Sequence, residues 1–201
     1  MKKGFTLVEM LVVIGIIAIL IGASIAGFTK MTRTADRARA QELVSNVATA
    51  LSQMFLNDGC WPQKLIDAAN ADGRLDENVA LVLAKKKCMS LTVQDGKLAG
   101  LDRFGIVTPW ATDAIKRAGN SGSAGSIKVG GGSIDGHVLH FAIDLDGDGI
   151  TEIKEGGSSL RVRATACVWC CDKDGSLSSV AGAARSGKGG IFSYTAGQIA
   201  Q

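Results

Sequence analysis

The sequence predicts an α+β protein, with one long N-terminal helix and a C-terminal head built on an antiparallel β-sheet. Three observations carry this. Residues 5–57 contain no proline, and their apolar residues run all round at first, then at i, i+3, i+4 spacing. Turn-forming residues begin at Asn57. The C-terminal half holds alternating stretches bounded by Gly and Asp, of which LRVRATACVW is the clearest.

Phe5 to Phe28 is apolar apart from Glu9 and a few small polar residues. At about 1.5 Å per residue, such a helix is long enough to cross a bilayer core of about 30 Å. From Ala40 to Phe55 the pattern becomes amphipathic: Ala40, Leu43, Val44, Val47, Ala48, Leu51, Met54 and Phe55 share a face. Asn57-Asp58-Gly59 is a stop signal, giving a helix of about 80 Å. Residues 59–201 form the head. Helices are expected over Pro62–Asn70, from Asp76 to about Lys87, with acids first and lysines last, and over Ala111–Ala118. Asp95-Gly96 and Asp174-Gly175 read as turns, and Gly119–Ser133 as a flexible loop. HVLHFAID and LRVRATACVW read as strands. The second places Arg161, Arg163 and Thr165 on one face and Val162, Ala164 and Ala166 on the other.

Composition narrows the function. The 201 residues are 46% apolar with a formal charge of +3, and hold one Tyr and three Trp. That is too little charge and too few stacking rings for a nucleic-acid binder. No GxSxG, HExxH or phosphate loop is present, so no enzymatic activity is expected.

Glu9 is the informative residue of the apolar stretch. At the centre of a membrane helix a carboxylate costs roughly 2.5–3.5 kcal/mol, and less near the interface. No Lys or Arg lies between it and Lys30. The nearest cation would be a new α-amino group on Phe5, made by a cut after Gly4 and placed four residues before Glu9 on the same helix face. A neighbouring copy would serve as well. Two other readings remain: an uncut anchor, and a secretory signal with Ser24-Ile25-Ala26 as its small-x-small cleavage site.

KGFTLVEMLVVIGIIAIL closely resembles the class III signal of type IV pilins and pseudopilins. The resemblance implies that a dedicated prepilin peptidase cuts after Gly4 and methylates Phe5. It implies that Glu9 pairs with the N-terminal amine of an adjacent subunit during assembly. Residues 1–4 are then a leader, 5–58 the long helix with 5–28 as membrane span and filament core, and 59–201 a periplasmic or extracellular head. The implied partners are copies of the chain, other pilins or pseudopilins, the membrane and an inner-membrane assembly platform. The subunit sits in the bacterial inner membrane with its N-terminus cytoplasmic until it enters a filament. Short-range charge alone does not predict that orientation, since Lys30, Arg33, Arg37 and Arg39 follow the span and only Lys2 and Lys3 precede it. LDRFGIVTPW and VWCCDKDG resemble stretches of the major pseudopilins of type II secretion. The function expected first is therefore a pseudopilus subunit, then a type IV pilus subunit, then a secreted calcium-binding protein with a cleaved signal.

DLDGDGITEIKE, Asp144 to Glu155, has the D-x-D-x-D-G-x5-E spacing of a calcium loop. Asp144, Asp146 and Asp148 at alternate positions can converge on one cation, the Ile150 carbonyl can point inward, and Glu152 or Glu155 can complete an oxygen shell. The strand-like stretch before it and Gly156-Gly157 after it argue for a loop between two strands. Calcium is the expected ligand, and the resemblance to major pseudopilins, which bind calcium in the head, points the same way.

The five cysteines are Cys60, Cys88, Cys167, Cys170 and Cys171. Behind an exporting segment they become disulfide candidates, though spacing does not fix their pairing. A Cys60–Cys88 bridge and one from the later cluster are expected. Cys170 and Cys171 are adjacent, and a bridge between neighbours is strained. Zinc held by the later cysteines with His137 and His140 is disfavoured, because residues three apart on a strand face opposite sides.

Overall fold

The structure, a computed structural model, describes residues 6–119, 122–130, 132–155, 158–173, 177, 179–186 and 189–200, with the side chains of 23–27, 29, 155, 158, 185 and 196 left out. Gly4, Phe5, the Asp174-Gly175 turn, Gly156-Gly157, the side chain of Glu155 and those of Ser24-Ile25-Ala26 lie outside the described set. The fold is α+β, a long N-terminal helix followed by antiparallel β-sheets. The chain divides into two compact units, Met1–Ala38 and Arg39–Gln201. Helix α1, Leu7–Asp58, passes through both.

In the first unit the described apolar side chains face solvent: Leu7 is 81% exposed, Ile19 73% and Phe28 69%. A continuous apolar surface of this kind needs cover in water. Among the described residues no helix is long and apolar enough to cross a membrane. The apolar run is described without interruption only from Leu7 to Gly22.

In the second unit the helix obeys the amphipathic pattern. Ala40, Val44, Val47, Leu51 and Met54 are buried in the main core. Helix α1 ends at Gly59, which takes φ +68° while its N–H donates to the Phe55 carbonyl at 2.8 Å. That left-handed cap costs glycine little. Helices α2, Gln63–Ala71, and α3, Glu77–Lys85, follow. Asp76 caps α3 by accepting the Val79 N–H at 3.0 Å. A hairpin of β1, Val93–Gln94, and β2, Lys97–Leu98, turns at Asp95-Gly96, both at positive φ. Helix α4, Pro109–Ala118, starts two residues before the expected Ala111, because proline is tolerated at the first helical position.

The remaining strands are β3, Lys128–Val129; β4, Gly132–Ser133; β5, His140–Ile143; β6, Thr151–Glu155; β7, Ser158–Val162; β8, Ala166–Cys171; and β9, Gly190–Phe192. Helix α5, Val180–Ser186, precedes β9. The antiparallel sheet β5–β8–β9 lies at the centre, and β6–β7 is a separate hairpin. Side-chain alternation divides the two cores. Phe141, Ile143, Val168, Cys170 and Ile191 face the core that holds α1. Ala142, Cys167, Trp169 and Phe192 face a second core with Ile153, Leu160 and Val162 of the hairpin.

Both edges of the sheet are covered, which blunts edge-to-edge pairing. The Phe141 N–H donates to the Gly73 carbonyl at 2.6 Å, and the Gln41 side-chain amide donates to the Phe192 carbonyl at 2.8 Å. Gly73 sits at φ +61°, and a Cβ there would run into the Phe141 carbonyl, so only glycine fits.

Two strand expectations are corrected. LRVRATACVW is not one strand: it breaks at Arg163–Thr165. There the chain leaves the hairpin for the central sheet, and Arg163 donates to the Gln198 carbonyl. Strand β8 is buried along its whole length, so alternation in exposure stops where the central strand starts. HVLHFAID becomes strand only at His140, since Ile134–His137 forms a 3₁₀ turn that carries His137 into the core.

Candidate functional site

The first described turn of α1 explains how Glu9 is held. Thr6 is the N-cap and Glu9 the third helical residue. The Glu9 Oε2 atom accepts the Thr6 N–H at 2.8 Å and the Thr6 hydroxyl at 2.8 Å, while the Glu9 N–H donates to Thr6 Oγ1 at 3.2 Å. This reciprocal arrangement is a capping box, which satisfies two otherwise orphaned N–H groups. Removing such a cap typically costs about 1 kcal/mol. Sequence reasoning missed Thr6, although T-x-x-E before an apolar run is the signature of this cap.

The acidic loop joins β5 to β6. Its first residue is anchored on three sides. The Trp61 indole N–H donates to the Asp144 carbonyl at 2.6 Å, and the Asp144 N–H donates to the Thr165 carbonyl at 2.9 Å. The Asp144 carboxylate, 4% exposed, accepts the Gly147 N–H at 2.8 Å and the Gly149 N–H at 2.8 Å. Burial alone would raise its pKa, but the bonds from Gly149, Gly147 and Asp146 outweigh burial and hold the carboxyl below its ordinary value. Stability from this group is therefore present above about pH 4 and lost as pH falls through the lowered pKa.

Asp144, Asp146 and Asp148 each bring a carboxylate oxygen within 4.8 Å of the others. Glu152 is not among the converging groups. It lies exposed on β6, in register with Arg161. The Arg161 guanidinium is 3.8 Å from Asp148. Asp146 and Asp148 line an open groove of about 490 Å³ together with Asp72, Glu152 and Arg161. Ile150 is half-buried and donates its N–H to Asp148 Oδ1 at 2.7 Å. Three carboxylates and one guanidinium leave an excess of negative charge, and the donor set of hard oxygens suits calcium.

The histidines and late cysteines serve other ends. His137 is 1% exposed. Its Nδ1 accepts the Trp110 indole N–H at 2.9 Å, so the proton lies on Nε2, which faces the Val129 carbonyl at 3.3 Å. Cys171 Sγ lies 3.3 Å from Nδ1 and donates to the Gly136 carbonyl at 3.2 Å. Burial lowers the His137 pKa and pushes the Cys171 thiol up to about 11, so both are neutral and the pair lacks the charge separation of a thiolate–imidazolium dyad. His140 stacks on Trp169 with ring centroids 5.9 Å apart.

Burial lowers the His140 pKa as well. The unfolded chain thus binds more protons than the folded one below about pH 6.5, so stability falls as pH drops through that range. Thermal melts are expected to show a lower Tm at pH 5 than at pH 7. His137→Asn, whose oxygen can take the Nδ1 role, should flatten that slope; an unchanged slope would exclude His137 as its source.

The expected second disulfide meets a geometric obstacle. Cys167 and Cys170 point to opposite cores, adjacent Cys170 and Cys171 alternate to opposite faces of the strand, and Cys167 and Cys171 are about 13 Å apart along it. A disulfide needs Cα atoms within about 7 Å. Burial raises the thiol pKa of Cys170 and pushes that of Cys167 up to about 12. The three β8 cysteines are buried side chains, and their spacing along one strand opposes a bridge from Cys167 to Cys171.

The family described as Prokaryotic N-terminal methylation motif matches residues 1–25. A Type IV major pilin protein PilE1 of Neisseria gonorrhoeae is 33% identical over 63 residues, 31% of this chain and 29% of the relative. A second PilE1 of that organism is 32% identical over 71 residues, 35% and 43% of the two chains. The fimbrial protein of Neisseria meningitidis serogroup B is 34% identical over 62 residues, 31% and 36%. The chain thus spans about a third of the length of the curated relatives it matches. No solved structure matches. The N-terminal segment is a prepilin-type class III signal. About a third of the chain is thus similar to type IV major pilins and fimbrial proteins.

Proposed function

We propose that the chain is a structural subunit of a pilus-like filament, first of all a type II secretion pseudopilin. The observation that carries this is a methylation motif heading a helix whose apolar side chains are exposed. Prepilin peptidase cuts after Gly4 and methylates Phe5. The first half of the helix spans the inner membrane until an assembly platform draws it into a filament, where copies of the same surface cover one another. Glu9 then trades its intrachain cap for the Phe5 amine of a neighbour. The test is mass spectrometry of the mature N-terminus. Methyl-Phe5 supports processing as a pilin, whereas Gly27 supports a secreted protein and Met1 an uncut anchor. Type IV pilus membership is the second reading, favoured by the names of the relatives. Loss of cargo secretion on deletion supports the pseudopilus, and loss of surface fibres the pilus.

Calcium belongs to the same reading. Asp144, Asp146 and Asp148 would hold it, with Ile150, Glu152 and Glu155 as the further candidates. When bound, the ion neutralises the carboxylates and stiffens the β5–β6 loop. Millimolar calcium is expected to raise the Tm of the full chain by roughly 3–8 °C. The double variant Asp146→Asn/Asp148→Asn should show no rise. An unshifted wild-type melt, with no uptake by calorimetry, removes the ion from the account.

A further inference from the structure

Two helices each end on a left-handed residue, and each ending delivers a cysteine. In α1, Gly59 takes the left-handed conformation at φ +68° and Cys60 follows. In α3, Lys87 takes it at φ +56°, and the turn is closed by the Lys87 N–H on the Ala84 carbonyl and the Cys88 N–H on the Leu83 carbonyl, both at 3.0 Å. That is a Schellman motif with a lysine where glycine is usual, and Cys88 is the residue just beyond it. The two endings meet. Lys86 Nζ lies 2.7 Å from Asp58 Oδ2, and each of these residues stands two positions before its cysteine. Cys60 is exposed and Cys88 half-buried, in contrast to the three buried thiols of β8. The Lys86 ammonium interacts with both thiols.

We propose that Cys60 and Cys88 form a disulfide that locks the C-terminal end of α1 to that of α3. The oxidant is a disulfide-bearing thiol oxidoreductase. Cys60, as thiolate, attacks one sulfur of its disulfide, forming a mixed disulfide and releasing one oxidoreductase thiol. Cys88, as thiolate, then attacks the Cys60 sulfur and releases the second. The S–S bond passes to this chain, two electrons reduce the oxidoreductase, and the two protons lost by the cysteines end on its two thiols. Oxidation in the cell rests on the export of the head proposed above; the pairing itself rests on the geometry alone.

The test uses the full chain in detergent, in two arms. In the first, the chain is taken from cells with free thiols blocked by N-ethylmaleimide and mapped by non-reducing mass spectrometry. In the second, reduced folded chain is equilibrated with glutathione disulfide and mapped in the same way. The expected result in both is a peptide linking Cys60 to Cys88, with Cys167, Cys170 and Cys171 labelled only after unfolding. Oxidised chain should melt about 5–10 °C above reduced chain, a difference absent in Cys60→Ser and in Cys88→Ser. Failure of the second arm to give the link, or a link from Cys60 to a β8 cysteine or to another copy, overturns the proposal. A link in the second arm with free Cys60 and Cys88 in the first supports the pairing and overturns export.

Discussion

Replacing Glu9 by glutamine is expected to cut filament yield about tenfold or more while leaving the first helical turn in place. The variant separates the cap seen in the structure from the proposed role of the same carboxylate in assembly. In the chain as described, Glu9 completes a capping box with Thr6. Glutamine keeps that role, because its side-chain oxygen can still accept the Thr6 N–H. It cannot keep the proposed role, which needs a full negative charge opposite a cationic terminus in a water-poor filament core. Hydrogen bonds to charged groups contribute roughly 1.5–3 kcal/mol, and 1.4 kcal/mol is a factor of ten at every junction. Thr6→Ala is the complementary change. It removes the cap, at a cost of about 1 kcal/mol, and leaves the charge. Quantifying sheared or cross-linked filaments for the two variants decides the matter. Wild-type yield from Glu9→Gln beside poor yield from Thr6→Ala would mean that the carboxylate acts only as a cap.

The same residue shows what the sequence makes legible. A carboxylate in an apolar run stands out on cost alone, so Glu9 is legible as a candidate without any structure. Its intrachain partner is less conspicuous, because a T-x-x-E cap is common in water and carries no cost that marks it out. The helices were legible for local reasons: Asp76 and Gly59 are start and stop signals that act within one turn. Strands were less so, because their limits depend on distant partners. Nothing local in LRVRATACVW says that Val162 ends a hairpin and Ala166 opens the central strand. That division follows from the two cores which the segment joins.

The candidate sites divide along the same line. Three aspartates two residues apart converge because a tight loop brings them together, which spacing can show. Glu152 does not join them, because β6 carries it into register with Arg161, and register is a long-range property. For the cysteines, the sequence places Cys60 and Cys88 just past two helix stops, and the Asp58–Lys86 contact, which brings those two ends together, is visible only in the structure. His137 is the clearest case of a residue invisible to pattern. It holds no periodic place, yet Trp110, Val129 and Cys171 surround it.

Leu51→Ala is expected to destabilise the head by about 2–5 kcal/mol, whereas Leu56→Ala, five residues on, should change stability by no more than about 0.5 kcal/mol. Both are leucines of the same helix. Leu51 is fully buried with Val44, Val47 and Met54, and Leu56 is 79% exposed. Truncating Leu51 loses its transfer free energy and leaves a cavity that rigid neighbours on α1 do not close, while truncating Leu56 removes methyl groups already in water. With about 2–4 °C of Tm per kcal/mol for a chain of this size, the first variant should melt roughly 5–15 °C below wild type and the second within about 2 °C. Thermal melts of the full chain in detergent, followed by far-UV circular dichroism, measure both. Equal shifts would mean that this half of α1 does not seat its apolar face in the head. The proposed filament role needs that seat, because traction on the N-terminal helix would reach the head through the residues that bury it.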